Sequence, residues 1–260
     1  MLDKIVRSKQ EQIAACGKDI MRKFEAEASL PEVRDFAGAL GRGDGRVALV
    51  AEVKKASPVK GRLIPDARAD ELAVIYQRSG AKAISVITEE HYFRGAPSLI
   101  QRVKSDVRLP VLRKDFIIDV RQLYETRLLG ADAVLLIVAL LKKNLRVFVE
   151  TAYELGIEPV VEVHDRLELE IAMDTPARII GINNRNLRDF TVDTGVCLEL
   201  VRLVANERRC IAESGIRSKH DMQVLEQHGF CAALVGEALV TAPDIAARTR
   251  ELAWYWADKE

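Results

Sequence analysis

One signature recurs along this chain and restricts its fold more than any other feature: a glycine that closes a helix, followed at once by a short apolar run. It reads Gly80-Ala-Lys-Ala-Ile-Ser-Val, Gly130-Ala-Asp-Ala-Val-Leu-Leu, Gly156-Ile-Glu-Pro-Val-Val and Gly229-Phe-Cys-Ala-Ala-Leu-Val. Glycine is the usual residue just past a helix C-terminus, because it enters the left-handed backbone region without a steric penalty. The intervals are close to two, one and three copies of a unit of about 25 residues, a length that suits a strand and its crossover helix. Further apolar runs fill the remaining places: Pro110-Val-Leu-Arg, Ala177-Arg-Ile-Ile-Gly and Arg209-Cys-Ile-Ala, with Val47–Val53 ahead of them all. Eight strands alternating with helices predict an α/β protein, a (β/α)8 barrel. The alternative, an open doubly wound sheet, lacks the G-x-G-x-x-G that would follow one of its strands.

Residues 1–45 stand outside the repeat. Leu2, Ile5, Val6 and Ile13, with Phe24 and Phe36 later, are spaced as on helices, and Ser29-Leu30-Pro31 separates two segments. The run Gly41-Arg-Gly-Asp-Gly45 reads as a hinge. A helical N-terminal extension packed on a barrel of residues 46–260 is expected, rather than an independent domain.

Composition narrows the function by exclusion. Lys+Arg and Asp+Glu balance at 39 each, so nothing favours nucleic acid or an anionic membrane as partner. The longest apolar run, Ala133 to Leu141, is nine residues against roughly 20 for a membrane span. The N-terminal segment lacks the apolar core of a signal peptide, and a cytoplasmic location is expected. Cys16, Cys197, Cys210 and Cys231 show no C-x-x-C spacing, and the four histidines form no H-x-x-x-H pair. Scattered thiols of this kind suggest a reducing compartment and ordinary packing, with Cys210 and Cys231, inside apolar runs, expected to be buried and structural, and no metal site is expected. The chain is expected to act as a monomer or weak homodimer.

In a barrel the chemistry sits at the C-terminal ends of the strands. Glu52 and Lys54 are two residues apart on the first strand and share a face that a buried strand normally fills with Val or Ile. Charges there are costly unless paired or used. The other strand ends carry Thr88-Glu-Glu90, Lys114-Asp115, Glu162, Asn183-Asn-Arg185, Glu213-Ser-Gly215 and Gly236-Glu237, and only Leu135-Leu-Ile137 ends apolar. Glu162, inside Pro159-Val-Val-Glu-Val, requires a partner for its carboxylate. Lys54 and Lys114 could equally be rim cations satisfying nearby carboxylates, and Asn183-Asn184 an Asx-type turn. Gly215 and Gly236 follow the seventh and eighth strands, where barrels bind phosphate through backbone N–H groups. A small phosphorylated metabolite is the expected substrate. Ser218-Lys-His-Asp221 is assigned to helix capping.

Taken together the motifs resemble the indole-3-glycerol-phosphate synthase family. The matching segments are Ala51-Glu-Val-Lys-Lys-Ala-Ser-Pro, Ile87-Thr-Glu-Glu-His-Tyr-Phe-Arg-Gly95, Leu112-Arg-Lys-Asp-Phe-Ile-Ile-Asp119 and Gly130-Ala-Asp-Ala-Val-Leu-Leu-Ile137. Val161-Glu-Val-His-Asp165, Gly181-Ile-Asn-Asn-Arg-Asn-Leu187, Ala212-Glu-Ser-Gly-Ile216 and Leu234-Val-Gly-Glu-Ala-Leu239 complete the series, in order, over nearly the whole chain. The resemblance implies the cofactor-free closure of 1-(2-carboxyphenylamino)-1-deoxyribulose 5-phosphate to indole-3-glycerol phosphate, with loss of carbon dioxide and water, in tryptophan biosynthesis. It implies Lys114 as the acid on the ketone. Lys54 is the second lysine, holding the substrate carboxylate and transferring a proton during dehydration, and Glu162 is the general base. Glu52, Asn183 and Arg185 are then active-site positions; Ser57, Ser214, Gly215 and Gly236 hold phosphate and substrate; Leu135 and Ile137 floor the site for the anthranilate ring. The family's Ser-Pro-Ser-Lys-Gly reads Ser57-Pro-Val-Lys-Gly61 here, so Val59 removes a hydroxyl donor near the expected phosphate position. Two rival readings stay open: a Schiff-base aldolase using either lysine as nucleophile, and a silent barrel that only binds a phosphorylated ligand or a protein.

Overall fold

The computed structural model describes residues 2–41, 47–58, 60–64, 69–187 and 189–253. Val59, the hinge at residues 42–45 and the side chain of Cys16 lie outside the described residues. Eight parallel strands close into a barrel: β1 (Ala48–Val53), β2 (Ala83–Ile87), β3 (Val111–Lys114), β4 (Ala133–Ile137), β5 (Glu158–Val163), β6 (Ile179–Asn183), β7 (Arg209–Glu213) and β8 (Ala232–Val235). Each pairs with its neighbours in sequence, and β8 returns to β1 with Ala48 opposite Ala232 and Ala51 opposite Val235. The predicted (β/α)8 architecture is the one observed. The repeat glycines do what the pattern required: Gly130 and Gly229 sit at φ 77° and 83°, a region closed to side-chain-bearing residues except at a cost.

Both faces of these strands are buried, which is why they read as nearly continuous apolar runs. Ala48, Val50, Leu112, Ala133, Leu135, Val160, Ile179, Ile211 and Leu234 point inward and fill the barrel. The alternate residues, such as Leu49, Ala51, Val86, Val134 and Ile180, pack against the surrounding helices.

The extension is bound to the barrel at three levels. Its first helix, Leu2–Ala26, buries Ile5, Ile13 and Ile20 and runs along the helix Arg121–Leu128. Phe24 meets Tyr124 edge to face with ring centres 4.9 Å apart. Asp132, from the Gly-Ala-Asp-Ala motif, accepts the backbone N–H groups of Arg34 and Val111 at 2.6 Å each. A short helix, Phe36–Ala39, then starts at Asp35, whose side chain accepts the N–H of Gly38 at 2.7 Å. Phe36 and Leu40 are buried with the inward residues that begin the strands, Ala48, Ala83, Ala133, Ile179 and Ala232. They stopper the barrel at its N-terminal end. Burying one such side chain stabilises a fold by about 1.5–3 kcal/mol.

Ser218 and Asp221 form a reciprocal capping box, as assigned from sequence. Cys197, Cys210 and Cys231 are buried free thiols. Among the described residues no helix is long and apolar enough to cross a membrane.

Candidate active site

The inward alternation that packs the barrel floor with aliphatic residues continues to the C-terminal rim with charged ones. On β1 it runs Ala48, Val50, Glu52, Lys54; on β3 Leu112, Lys114; on β5 Val160, Glu162; on β6 Ile179, Gly181, Asn183; on β7 Ile211, Glu213. Side chains two residues apart on a strand share a face, so the fold delivers these groups to one point. They line a cavity of about 490 Å³ at that rim.

Lys114 is its centre. Its Nζ lies 2.7 Å from Glu213 Oε2 and 3.1 Å from Glu162 Oε2, donating to both. Lys54 pairs with Glu52 beside it. The three carboxylates are almost fully buried, at 1–2% side-chain exposure, while the lysines keep 18–19% and face the cavity. Burial alone would push the Lys114 ammonium down, but the carboxylates of Glu213, Glu162 and Glu52 outweigh it and hold the group well above the ordinary lysine value. Burial likewise opposes charge on Glu162, yet Lys114 and His164 overcome it and hold this carboxyl below the usual range. Glu213 goes the other way. Burial lifts it, Lys114 pulls it back, and the neighbouring Glu162 lifts it again, leaving it above the ordinary carboxylate value. Two carboxylates crowded on one ammonium are driven apart in this manner.

Around the charges the cavity sorts into two ends. Leu135, Ile137, Leu187, Phe93 and Phe116 make one wall apolar, the two phenyl rings 6.2 Å apart. At the other end Ser214 and Gly215 stand in succession at φ 65° and 85° after β7. A side chain at Gly215 would meet Thr194 at 2.7 Å. Strain of this sort in a residue that carries a side chain, here Ser214, persists only where the surroundings enforce it. Gly236 lines the same cavity from the end of β8, and Lys60 reaches in from the first loop to Glu237 at 2.7 Å.

Every residue predicted for the site lines this cavity except one. Ser57 instead belongs to a small hairpin, Ala56–Ser57 with Gly61–Arg62, and its Oγ accepts the backbone N–H of Lys60 at 3.1 Å. It shapes the loop and does not reach the cavity; a two-residue strand leaves no trace in a sequence. Asn183 combines the two uses that its sequence left open: it lines the cavity, and its Oδ1 accepts the N–H of Arg185 at 3.0 Å in an Asx turn. Arg185 is steadied by the carbonyl of Phe190 at 3.1 Å.

Sequence reasoning noticed Glu213 as a polar strand end but did not place it in the site. Its inward parity with Ile211 was the available signal. The aromatic pair Phe93 and Phe116 and the overhanging Leu2 and Ile5 of the first helix gave none.

The family model for indole-3-glycerol phosphate synthase matches residues 2–252. The chain belongs to the indole-3-glycerol phosphate synthase family. Proteins of that name from Chlorobaculum tepidum and Chlorobium luteolum are each 43% identical, over 97% and 95% of this chain and 98% and 96% of theirs. The one from Dehalococcoides mccartyi is 49% identical over 80% of this chain and 82% of its own. The resemblance carried by the eight ordered motifs is thus borne out. Among solved structures, thiamine phosphate pyrophosphorylase from Pyrococcus furiosus is similar with a TM-score of 0.61 at 18% identity, covering 83% of this chain and 98% of its own. KGPDC from Streptococcus mutans has a TM-score of 0.59 at 14% identity, covering 80% and 95%. These two likenesses concern the barrel fold alone.

Proposed function

We propose that this ring-closing carboxy-lyase works on 1-(2-carboxyphenylamino)-1-deoxyribulose 5-phosphate through Lys114 and Lys54 as acids and Glu162 as base, with residues 1–45 serving as an extension of one catalytic barrel. The phosphate sits at the Ser214, Gly215 and Gly236 end, where backbone N–H groups can meet it closely, and Lys60 is the cation within reach. The anthranilate ring lies on Leu135 and Ile137. Its carboxylate faces Arg185 and Lys54, and arginine suits a carboxylate because it can grip both oxygens.

With that placement the ring carbon bearing the carboxylate attacks the ketone carbon, and Lys114 protonates the ketone oxygen. The carbon–carbon bond to the carboxylate then breaks, releases carbon dioxide and restores the aromatic ring. Glu162 removes a proton from the adjacent methylene carbon as the hydroxyl leaves as water, protonated by Lys54. Of the two protons on the departing oxygen, one equals the proton taken from carbon and the other comes from solvent. Glu52 and Asn183 hold Lys54 and Arg185 in place.

The observation that carries this reading is the position of the Lys114 ammonium between Glu162 and Glu213. A group held charged so firmly is an electrostatic anchor for the ketone oxygen, and it becomes a proton donor as the substrate draws it away from these carboxylates. A Schiff-base lysine must shed its proton to attack a carbonyl, and is found where burial or a neighbouring cation lowers its pKa. The aldolase reading is therefore disfavoured. Mixing the purified protein with the carboxyphenylamino substrate should produce growing indole fluorescence without added metal or cofactor. Borohydride should trap no lysine adduct. Absence of the fluorescence, or an adduct on Lys54 or Lys114, would overturn the assignment.

A further inference from the structure

The inward parity of β5 does not stop at Glu162: it continues to His164, which the active-site account leaves unused. His164 stands between the catalytic cavity and a second cavity of about 970 Å³ lined in part by His164, Glu168, Asp165, Lys142 and Asp193, with Asn183 common to both. Its ring is held from behind. Nδ1 lies 2.9 Å from Glu168 Oε2, and the same oxygen accepts the His164 backbone N–H at 2.9 Å. Glu168 is itself fixed one turn into the helix Arg166–Met173, its N–H donated to the N-cap Asp165 at 2.9 Å.

In front, Nε2 lies 3.1 Å from Glu162 Oε1. This is an ion-pair contact rather than an aligned hydrogen bond, for Nε2 is buried without a hydrogen-bond partner. Lys114 addresses the other oxygen of the same carboxylate, Oε2, at 3.1 Å. The two oxygens of Glu162 are thus engaged separately, one by a lysine in the cavity and one by a histidine in the wall. Catalytic hydrogen bonds are often loose before substrate binds and tighten afterwards.

We propose that His164, clamped by Glu168, is a positioning residue: it holds Oε1 of Glu162 and keeps the carboxylate charged, leaving Oε2 as the oxygen that takes the substrate's proton. This rests on Glu162 being the base. The charged and titratable groups around the ring are Glu162 on its own strand, Glu168 on the following helix and Lys114 across the barrel, with Lys142, Asp165 and Asp193 on the second cavity. Burial opposes the imidazolium, but its contacts with the carboxylates of Glu162 and Glu168 raise the ring to about 10. It is a cation throughout the physiological range. A cation on Oε1 keeps Glu162 ionised and equally reduces its basicity, so its loss should be seen first in where activity begins on the acid side.

The test compares His164→Asn, His164→Ala and Glu168→Gln with the parent enzyme, after circular dichroism has verified that each folds. For His164→Asn, kcat should fall about tenfold with KM within about twofold, and the acid limb of the kcat profile should move to higher pH. Glu168→Gln should shift the same limb in the same direction by less. Imidazole added to His164→Ala should enter from the second cavity and restore part of kcat. An unchanged kcat and acid limb in both His164→Asn and Glu168→Gln would overturn the proposal. A Glu162→Gln variant separates the two levels. If Glu162→Gln is inactive while His164→Asn matches the parent, only the role of His164 fails. If Glu162→Gln stays active, the assignment of the base fails with it.

Discussion

Two neighbouring residues, Lys114 and Asp115, anchor two buried charge clusters that differ in one respect. Asp115 points outward from β3 and meets Lys9 of the first helix at 2.8 Å, Thr88 at 2.7 Å and Arg113 at 3.3 Å, while Arg113 reaches on to Glu125 at 2.7 Å and Thr126 at 3.0 Å. That cluster is closed: each buried charge in it has a partner. Lys114 points inward, and its cluster is open. Glu213 Oε1 and His164 Nε2 are buried there without a hydrogen-bond partner among the described residues. A buried polar atom left unpaired costs about 1–3 kcal/mol, a cost a purely structural cluster would relieve. The closed cluster fastens the extension to the barrel, and the open one borders the cavity in which the substrate is proposed to bind.

The contrast can be broken from the open side first. Glu162→Gln is expected to lower kcat about a thousandfold, the usual scale of a lost general base, with the urea midpoint unchanged or raised. Steady-state kinetics and equilibrium denaturation on one preparation decide both points.

From the closed side, Asp115→Ala should do the reverse. Removing one member of a buried ion pair costs about 3 kcal/mol, and urea unfolding should register a loss of that size with activity falling much less at low temperature. Burial works against charge on Asp115, but Lys9, Arg113 and Thr88 hold its carboxyl below the usual value. A depressed folded pKa contributes stability that is present above the unfolded value, about 3.9, and is lost as pH falls through the folded value. The stability gap between parent and variant should therefore be full at neutral pH and shrink below about pH 4.

A finer cut uses Gly181, against which Glu213 Oε1 rests so closely that a Cβ would collide with it. Gly181→Ala should displace Glu213, lower kcat about tenfold and change stability by less than about 1 kcal/mol. Equal losses of both would mean that Glu213 is structural. The smallest effect is expected at Ser57. Its hydroxyl serves a turn, so Ser57→Ala should leave KM for the substrate within about twofold, the scale of one local hydrogen bond.

The open cluster was largely legible in the sequence, and the closed one was not. Charges at inward parity on otherwise apolar strands can be read off Glu52, Lys54, Lys114 and Glu162 once the strands are located, and the same rule extends to Glu213 and His164. Parity says which face a residue takes, but not which residue from elsewhere will meet it. Lys9 and Asp115 are 106 positions apart, and neither shows the other in its neighbourhood. The eight strands were visible because glycine marks the start of four of them chemically and the spacing of those four locates the rest. The stopper at Phe36 and Leu40 was not, since two apolar residues on and just past a short helix fit any hydrophobic contact. The turn that Ser57 serves was hidden for a related reason: a hairpin with two-residue arms has no periodicity to detect.

That stopper has a consequence for traffic. A barrel sealed at one end is a blind vessel, so the bulky sugar phosphate enters by the same mouth through which the product, smaller by carbon dioxide and water, must leave. Turnover is then a queue at a single door. How tightly the product is held bears directly on how soon the next substrate can be admitted, and loosening the rim, rather than hastening the bond-making steps, is the lever by which such a vessel would empty faster.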